Sequence, residues 1–222
     1  MKLYSFWRSL ASFRVRIALK FKKQEFDVIS TDLLSGDQFS PDFKTINPQA
    51  MVPSLILEDG EVLCQSMALL EYLEEVYPDP PLMPQDALAR VRVRALCMMT
   101  VADIHPLVVP RVRKYIIDEI GLDENGLNRW IGNWTTLGLD AMETHISRNN
   151  PTGTYCEGNS VSLADLCIIP QVGAAKMFDI DLDPYPHLSR IFDTCMKLPE
   201  FYESRPQVQP DYPNIQRKQS LN

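Results

Sequence analysis

Met51-Val52-Pro53-Ser54-Leu55-Ile56-Leu57-Glu58-Asp59-Gly60, closely followed by Val62-Leu63-Cys64-Gln65-Ser66, is the stretch whose reading decides the fold. A following proline pushes Val52 towards extended backbone and away from a helix. Residues 52–57 carry the β-branched and apolar content of a strand. Glu58-Asp59-Gly60 is a hairpin signal, with Val62-Leu63-Cys64 as the short antiparallel partner. Gln65-Ser66 then opens Met67-Ala68-Leu69-Leu70-Glu71-Tyr72-Leu73, which has helical spacing. Ser66 is a candidate N-cap, with backbone N–H groups beside it for an anion. A proline at the start of an edge strand leaves the Val52 backbone to pair with something outside the sheet.

Outward from this stretch, residues 2–6 read as a first strand, 9–22 as a helix and 25–30 as a second strand. That is a βαβ unit with a right-handed crossover. A short helix over 39–46 ends at Asn47-Pro48, and a helix over 66–77 completes the order βαβαββα. The run Pro78-Asp79-Pro80-Pro81-Leu82-Met83-Pro84 stops regular structure and reads as a linker. The domain expectation is therefore 1–79 and 86–222. After the linker the pattern is all helical: 87–120, interrupted by Pro106 and Pro110, then 124–149, 162–178 and 187–198. Gly126, Gly132 and Gly138 each weaken the second of these by ~1 kcal/mol relative to alanine. Residues after about 205 read as a tail draped over the surface.

Composition sets limits. The 222 residues are 45% hydrophobic and 23% charged, an ordinary globular profile. No apolar run approaches the ~18 residues that span a bilayer. Lys2, Arg8, Arg14, Arg16 and Lys20 break up any signal peptide, which predicts a cytoplasmic protein that engages no membrane. A net charge of -7 argues against non-specific nucleic-acid binding. The five cysteines show neither CxxC nor finger spacing and read as buried reduced thiols. His105, His145 and His187 form no ligand motif, so no metal is expected. Ser162-Leu163-Ala164-Asp165 is an acidic capping box, with Val161 as a hydrophobic staple, ahead of the apolar run Leu166-Cys167-Ile168-Ile169. That run favours a buried cap.

In this order, VPSL at 52–55, QSMALLEYLEE at 65–75 and the opening MKLYSFWRSLASFRVRIALKFK resemble the first domain of a cytosolic glutathione transferase. Within that superfamily the chain resembles the zeta class of maleylacetoacetate and maleylpyruvate isomerases, from residue 1 to about 209. The resemblance implies an α/β thioredoxin-like first domain, an all-α second domain, glutathione as cofactor and a homodimer. It also implies a small dicarboxylic substrate from aromatic or tyrosine catabolism. Ser162 and Asp165 resemble the buried capping element of such second domains.

Residue by residue, it implies that the Val52 backbone pairs with glutathione beside a cis Pro53. Gln65 and Ser66 would hold the γ-glutamyl carboxylate, and Gln49 would close over the glycine end. Such a protein must lower a thiol pKa from ~8.5, and hydroxyl or N–H donors at a helix N-terminus do so. The turn Trp7-Arg8-Ser9-Leu10-Ala11-Ser12 offers them. Ser9 matches the class's catalytic serine, Leu10 and Ala11 provide backbone N–H groups, and Ser12 is structural. The usual pattern is Ser-Ser-Cys, and this chain has Ser9-Leu10-Ala11. Arg8 and Arg111 are the expected cations for substrate carboxylates. Arg14 and Arg16 are expected to be solvated or paired within their domain.

His105, in Asp103-Ile104-His105-Pro106, stands as a proton donor, a contact to glutathione from the partner subunit, or a plain surface histidine. Lys176 is a third candidate cation. The expected activity is glutathione-dependent cis–trans isomerisation. The alternatives are a weakly active or non-catalytic glutathione-binding protein, or a transferase or dehalogenase of another substrate.

Overall fold

The computed structural model describes residues 1–148 and 151–213. Its first elements are β1 (Lys2–Ser5), α1 (Leu10–Phe21), β2 (Asp27–Ser30), α2 (Pro41–Ile46), β3 (Ser54–Ile56), β4 (Val62–Cys64) and α3 (Ser66–Val76), the expected βαβαββα order. The sheet runs β2-β1-β3-β4. β1 is parallel to β2, with Leu3 opposite Val28, and antiparallel to β3, with Leu3 opposite Leu55. β4 closes the edge, with Leu63 opposite Leu55. Leu3 and Leu55 are fully buried, which fixes the register because a one-residue slip would turn both outward. Gly60, at φ 92°, makes the hairpin turn.

The strand after Pro53, β3, is shorter than expected and, paired with β1 on one side and β4 on the other, is an inner strand and not the expected edge strand. Pairing begins at Ser54, since Pro53 has no N–H to give to a ladder. The Val52-Pro53 peptide is cis. The start of α3 also differs from expectation. Gln65, at φ 72°, precedes the helix, and its C=O accepts from Leu69 N–H at 2.9 Å. Ser66 is therefore the first helical residue and not the cap.

α1 decides between two expected alternatives. Residues 12–19 are all buried, Arg14 and Arg16 among them, so neither arginine is solvated and both are paired within their unit. A buried guanidinium must find acceptors. Arg16 donates to Ser5 Oγ at 2.8 Å, Ser204 O at 3.1 Å, and the carbonyls of Phe6 and Trp7 at 3.4 Å. Ser204 belongs to the segment that starts at Pro199, and this segment covers a face of α1 that local periodicity leaves open.

Accordingly the chain divides into two compact units, Met1–Leu69 with the segment from Pro199 onward, and Leu70–Leu198. The division falls inside α3 rather than at the proline run. Glu71 already pairs with Arg94 at 2.9 Å, and Glu74 accepts the N–H groups of Leu82 and Met83 at 3.0 Å.

The second unit is helical, as expected: α4 (Ala87–Met98), α5 (His105–Val108), α6 (Pro110–Asp118), α7 (Glu124–Arg148), α8 (Leu163–Met177) and α9 (Pro186–Cys195). The run expected over 87–120 is broken twice. Met99–Ile104 widens into a π-helical turn just ahead of Pro106, where a proline ring crowds the preceding turn. Val109, at ψ 156°, is extended before Pro110. By length and composition alone, Ala87–Asp118 contains an 18-residue window, of mean hydropathy 1.3, apolar enough to cross a bilayer, which corrects the expectation for this stretch, although a buried core helix passes the same test. Its apolar residues are dispersed between charges, so no single uninterrupted run revealed it.

α8 is buried along residues 163–172 and forms the centre of this unit. Gly138 of α7 meets the π-helical turn so closely that a Cβ there would lie 2.1 Å from Ile104 Cδ1. The α7 boundary expected at Asn149 and the tail over 214–222 lie outside the described residues. A short α10 (Pro199–Tyr202) and a 3-10 turn at Pro206–Val208 follow α9.

Candidate active site

The turn between β1 and α1 is built by its own backbone. Ser9 N–H donates to Phe6 O at 3.0 Å, and Ser9 Oγ accepts from Ser12 N–H at 3.2 Å. Ser9 is thus the N-cap of α1. Its hydroxyl proton remains available to donate, because the cap uses only the oxygen's acceptor side. Leu10 and Ala11 stand in the first turn, where N–H groups have no partner within a helix. No acidic side chain occupies that turn, so its positive end is not neutralised from within. Arg8, Ser9, Leu10 and Ala11 are all half-buried. Ser12 is fully buried, and its hydroxyl has no hydrogen-bond partner among the described residues.

The loop before β3 is braced by buried Asn47. Its Nδ2 donates to Met51 O at 2.9 Å and to Ser54 Oγ at 3.3 Å, while its Oδ1 accepts Gln49 N–H at 3.0 Å. The Val52 side chain packs with Phe6 and Phe43, while its backbone precedes the first ladder pair at Ser54. At the start of α3, Gln65 Nε2 donates to Gln49 Oε1 at 2.7 Å, so these two expected contacts touch. Ser66 is buried and accepts from Arg14 Nη1 at 3.3 Å.

Sequence reasoning assigned Arg14 no such role. The signal was present: a helix apolar on every side, as Phe13-Arg14-Val15-Arg16-Ile17 is, buries its arginines too. A cation behind a helix N-terminus suits a carboxylate. With the Val52 backbone and the Ser9 hydroxyl, these residues fit a peptide that carries carboxylates and a thiol.

His105 and Arg111 belong to the helical unit. His105 opens α5 and is half-buried, and Arg111 is exposed in the first turn of α6. Lys176 is exposed, with Nζ 4.1 Å from the Phe192 ring centroid.

The capping box at α8 is buried, as expected. Ser162 N–H and Oγ–H both donate to Asp165 Oδ2, at 2.8 and 2.9 Å, and Cys156 N–H donates to Oδ1 at 2.9 Å. Burial nevertheless holds the Asp165 carboxyl above its ordinary range. Burial, aided by Asp165, pushes the Cys156 thiol well up, and Cys195 moves the same way. Cys97, Cys156, Cys167 and Cys195 are buried thiols in no disulfide, and Cys64 is half-buried. Buried thiols held protonated are poor nucleophiles.

The model of the glutathione S-transferase N-terminal domain matches residues 1–75, and that of the C-terminal domain matches residues 138–199. The chain belongs to the glutathione S-transferase family, and within it to the zeta class. It is 41% identical to the maleylpyruvate isomerase of a Ralstonia species over 95% of this chain and 99% of that protein. A holo structure of a maleylpyruvate isomerase, described as a bacterial zeta-class transferase, superposes at TM-score 0.93 with 40% identity, covering 96% of this chain and 100% of that one. The maleylacetoacetate isomerase of Methylobacterium extorquens AM1, solved with malonate and glutathione, gives 0.94 with 41% identity over the same shares.

Proposed function

We propose that this protein is a glutathione-dependent cis–trans isomerase of a short conjugated dicarboxylate, of the maleylacetoacetate or maleylpyruvate type. One observation carries the reading: a serine-capped α1, the loop at Val52-Pro53 and the Gln65-Ser66 start of α3 stand together in one compact unit. The chain also matches such isomerases along nearly its whole length.

Bound glutathione supplies a thiolate that adds reversibly to a conjugated double bond. The protein's residues hold and polarise. The Val52 backbone takes the peptide in extended form, and Gln65 and Ser66, backed by Arg14, take the γ-glutamyl carboxylate. Gln49, which accepts a hydrogen bond from Gln65, takes the glycine end in this reading. The Ser9 hydroxyl and the Leu10 and Ala11 N–H groups donate to the sulfur and keep its proton off at neutral pH. Arg8, beside that turn, holds a substrate carboxylate and stabilises charge that develops on it. By resemblance to the zeta class, Arg111 is proposed as a second substrate cation and His105 as a proton donor.

The same reading makes the protein cytoplasmic and a homodimer. Leu88, Val91 and Met98 are exposed on one side of α4, an apolar stripe suited to a second copy. Ala11 in place of a polar side chain favours one other reading, a glutathione-binding protein of weak isomerase activity.

Turnover of maleylpyruvate and maleylacetoacetate with and without glutathione tests the proposal. Turnover that requires glutathione is expected. A protein that neither binds glutathione at millimolar concentration nor turns over either substrate overturns it.

A further inference from the structure

The residues that flank Ser9 are held from a distant part of the chain. Trp7 N–H donates to Asp211 Oδ2 at 2.9 Å, and Ser30 Oγ donates to the same oxygen at 3.1 Å. The Tyr212 ring stands edge-on to the Trp7 ring, 4.9 Å between centroids. On the other side of the same residue, Trp7 O accepts from Arg16 Nη2, and Phe6 O from Arg16 Nη1, both at 3.4 Å. Phe6 O is also the acceptor for Ser9 N–H at 3.0 Å. Trp7 is therefore gripped at both its N–H and its C=O, by an anion on one side and a buried cation on the other.

The grip is an assembled one. Arg16 reaches the Pro199 segment through Ser204 O, and that segment is pinned again by Lys20 to Glu203 at 2.7 Å. Gln209 Nε2 braces it internally, donating to Glu203 O and Arg205 O at 3.1 Å. Burial lowers the Arg16 guanidinium to about 9 and Asp211 opposes that shift, so Arg16 remains a cation at neutral pH.

We propose that Asp211 and Tyr212 are positioning residues for the reaction: from the Pro199 segment they hold the turn at residues 6–9, and so set where the Ser9 donors point. The inference rests on the reading that Ser9 and its neighbouring N–H groups hold the glutathione sulfur. A purely structural strap would affect stability alone. A positioning strap also changes the thiolate, because donors displaced by a fraction of an ångström stabilise it less.

The test uses the full-length protein with glutathione as probe. It measures glutathione affinity by calorimetry, the pH titration of the bound thiolate's ultraviolet absorbance, kcat and KM. Asp211→Ala is expected to raise the bound thiol's pKa by about half a unit to one unit. It should lower kcat about tenfold and leave glutathione affinity within about twofold. Asp211→Asn, which keeps an oxygen for Trp7 N–H, should recover most of the loss. Should Asp211→Ala not fold, Tyr212→Ala reads the same quantities and is expected to move them in the same direction by less. Parental thiol titration and kcat in the folded variant, whatever its melting temperature, overturn the inference alone. A parent protein that binds no glutathione overturns the underlying reading, and this inference with it.

Discussion

Ser9 caps α1 and Ser162 caps α8, yet the two helix starts are furnished differently. At α8 the first turn contains Asp165, whose two carboxylate oxygens take the N–H and hydroxyl of Ser162 and the N–H of Cys156. All of this is buried, and the helix's positive end is satisfied from within. At α1 the first turn has no acid, Ser9 is half-buried, and its oxygen accepts one N–H while its proton stays uncommitted. The start of α3 also lacks an acid in its first turn. The start of α8 is closed by its own acid, whereas those of α1 and α3 are left open, as the proposed glutathione site requires. The acid three residues after the cap distinguishes them.

Breaking the closed start should have the largest effect. Asp165→Ala leaves the N–H groups of Ser162 and Cys156 buried without partners, and is expected to cost about 3–5 kcal/mol of stability in denaturant titrations. A loss below about 1 kcal/mol would make α8 an ordinary surface cap. Next in size, Gln65→Ala with Ser66→Ala should weaken glutathione binding by about 2–4 kcal/mol by calorimetry, hydrogen bonds to charged groups being the strong ones. Ser9→Ala sharpens the contrast with Asp165. It should cost only about 1 kcal/mol of stability, as a lost cap does. It should also raise the bound thiol's pKa by about one to two units. Parental thiol titration in this variant would assign the sulfur to the backbone N–H groups and Arg8. The smallest effect is expected from Ala11→Cys, with stability within about 0.5 kcal/mol of the parent. Its turnover should rise if Ala11 marks a weakened isomerase and stay level if another substrate is the natural one.

Much of this comparison was legible in the sequence, because caps, turns and proline effects are local. Val52-Pro53, Asp59-Gly60, Gln65-Ser66 and Ser162 with Asp165 each act within a few residues, and the strand order followed from them. What local patterns could not supply was burial from afar. Arg16 looks exposed only until the Pro199 segment is laid beside α1, and Asp211 lies 204 positions from the N–H it accepts. The widened turn at Met99–Ile104 escaped for a different reason. Pro106 announces a disturbance, but whether the helix bends, breaks or widens depends on what packs against it.

The close approach of Gly138 to Ile104 bears on efforts to harden this protein against heat. Replacing helical glycines by alanine is an ordinary first choice, worth up to about 1 kcal/mol at a permissive position. Gly132, with nothing within 4 Å of where a Cβ would stand, is such a position. At Gly138 the same exchange would drive a methyl group into the side chain next to His105. Two glycines six residues apart on one helix thus divide into one to engineer and one to leave alone. A library that treats them alike would disturb a candidate functional residue while seeking only stability.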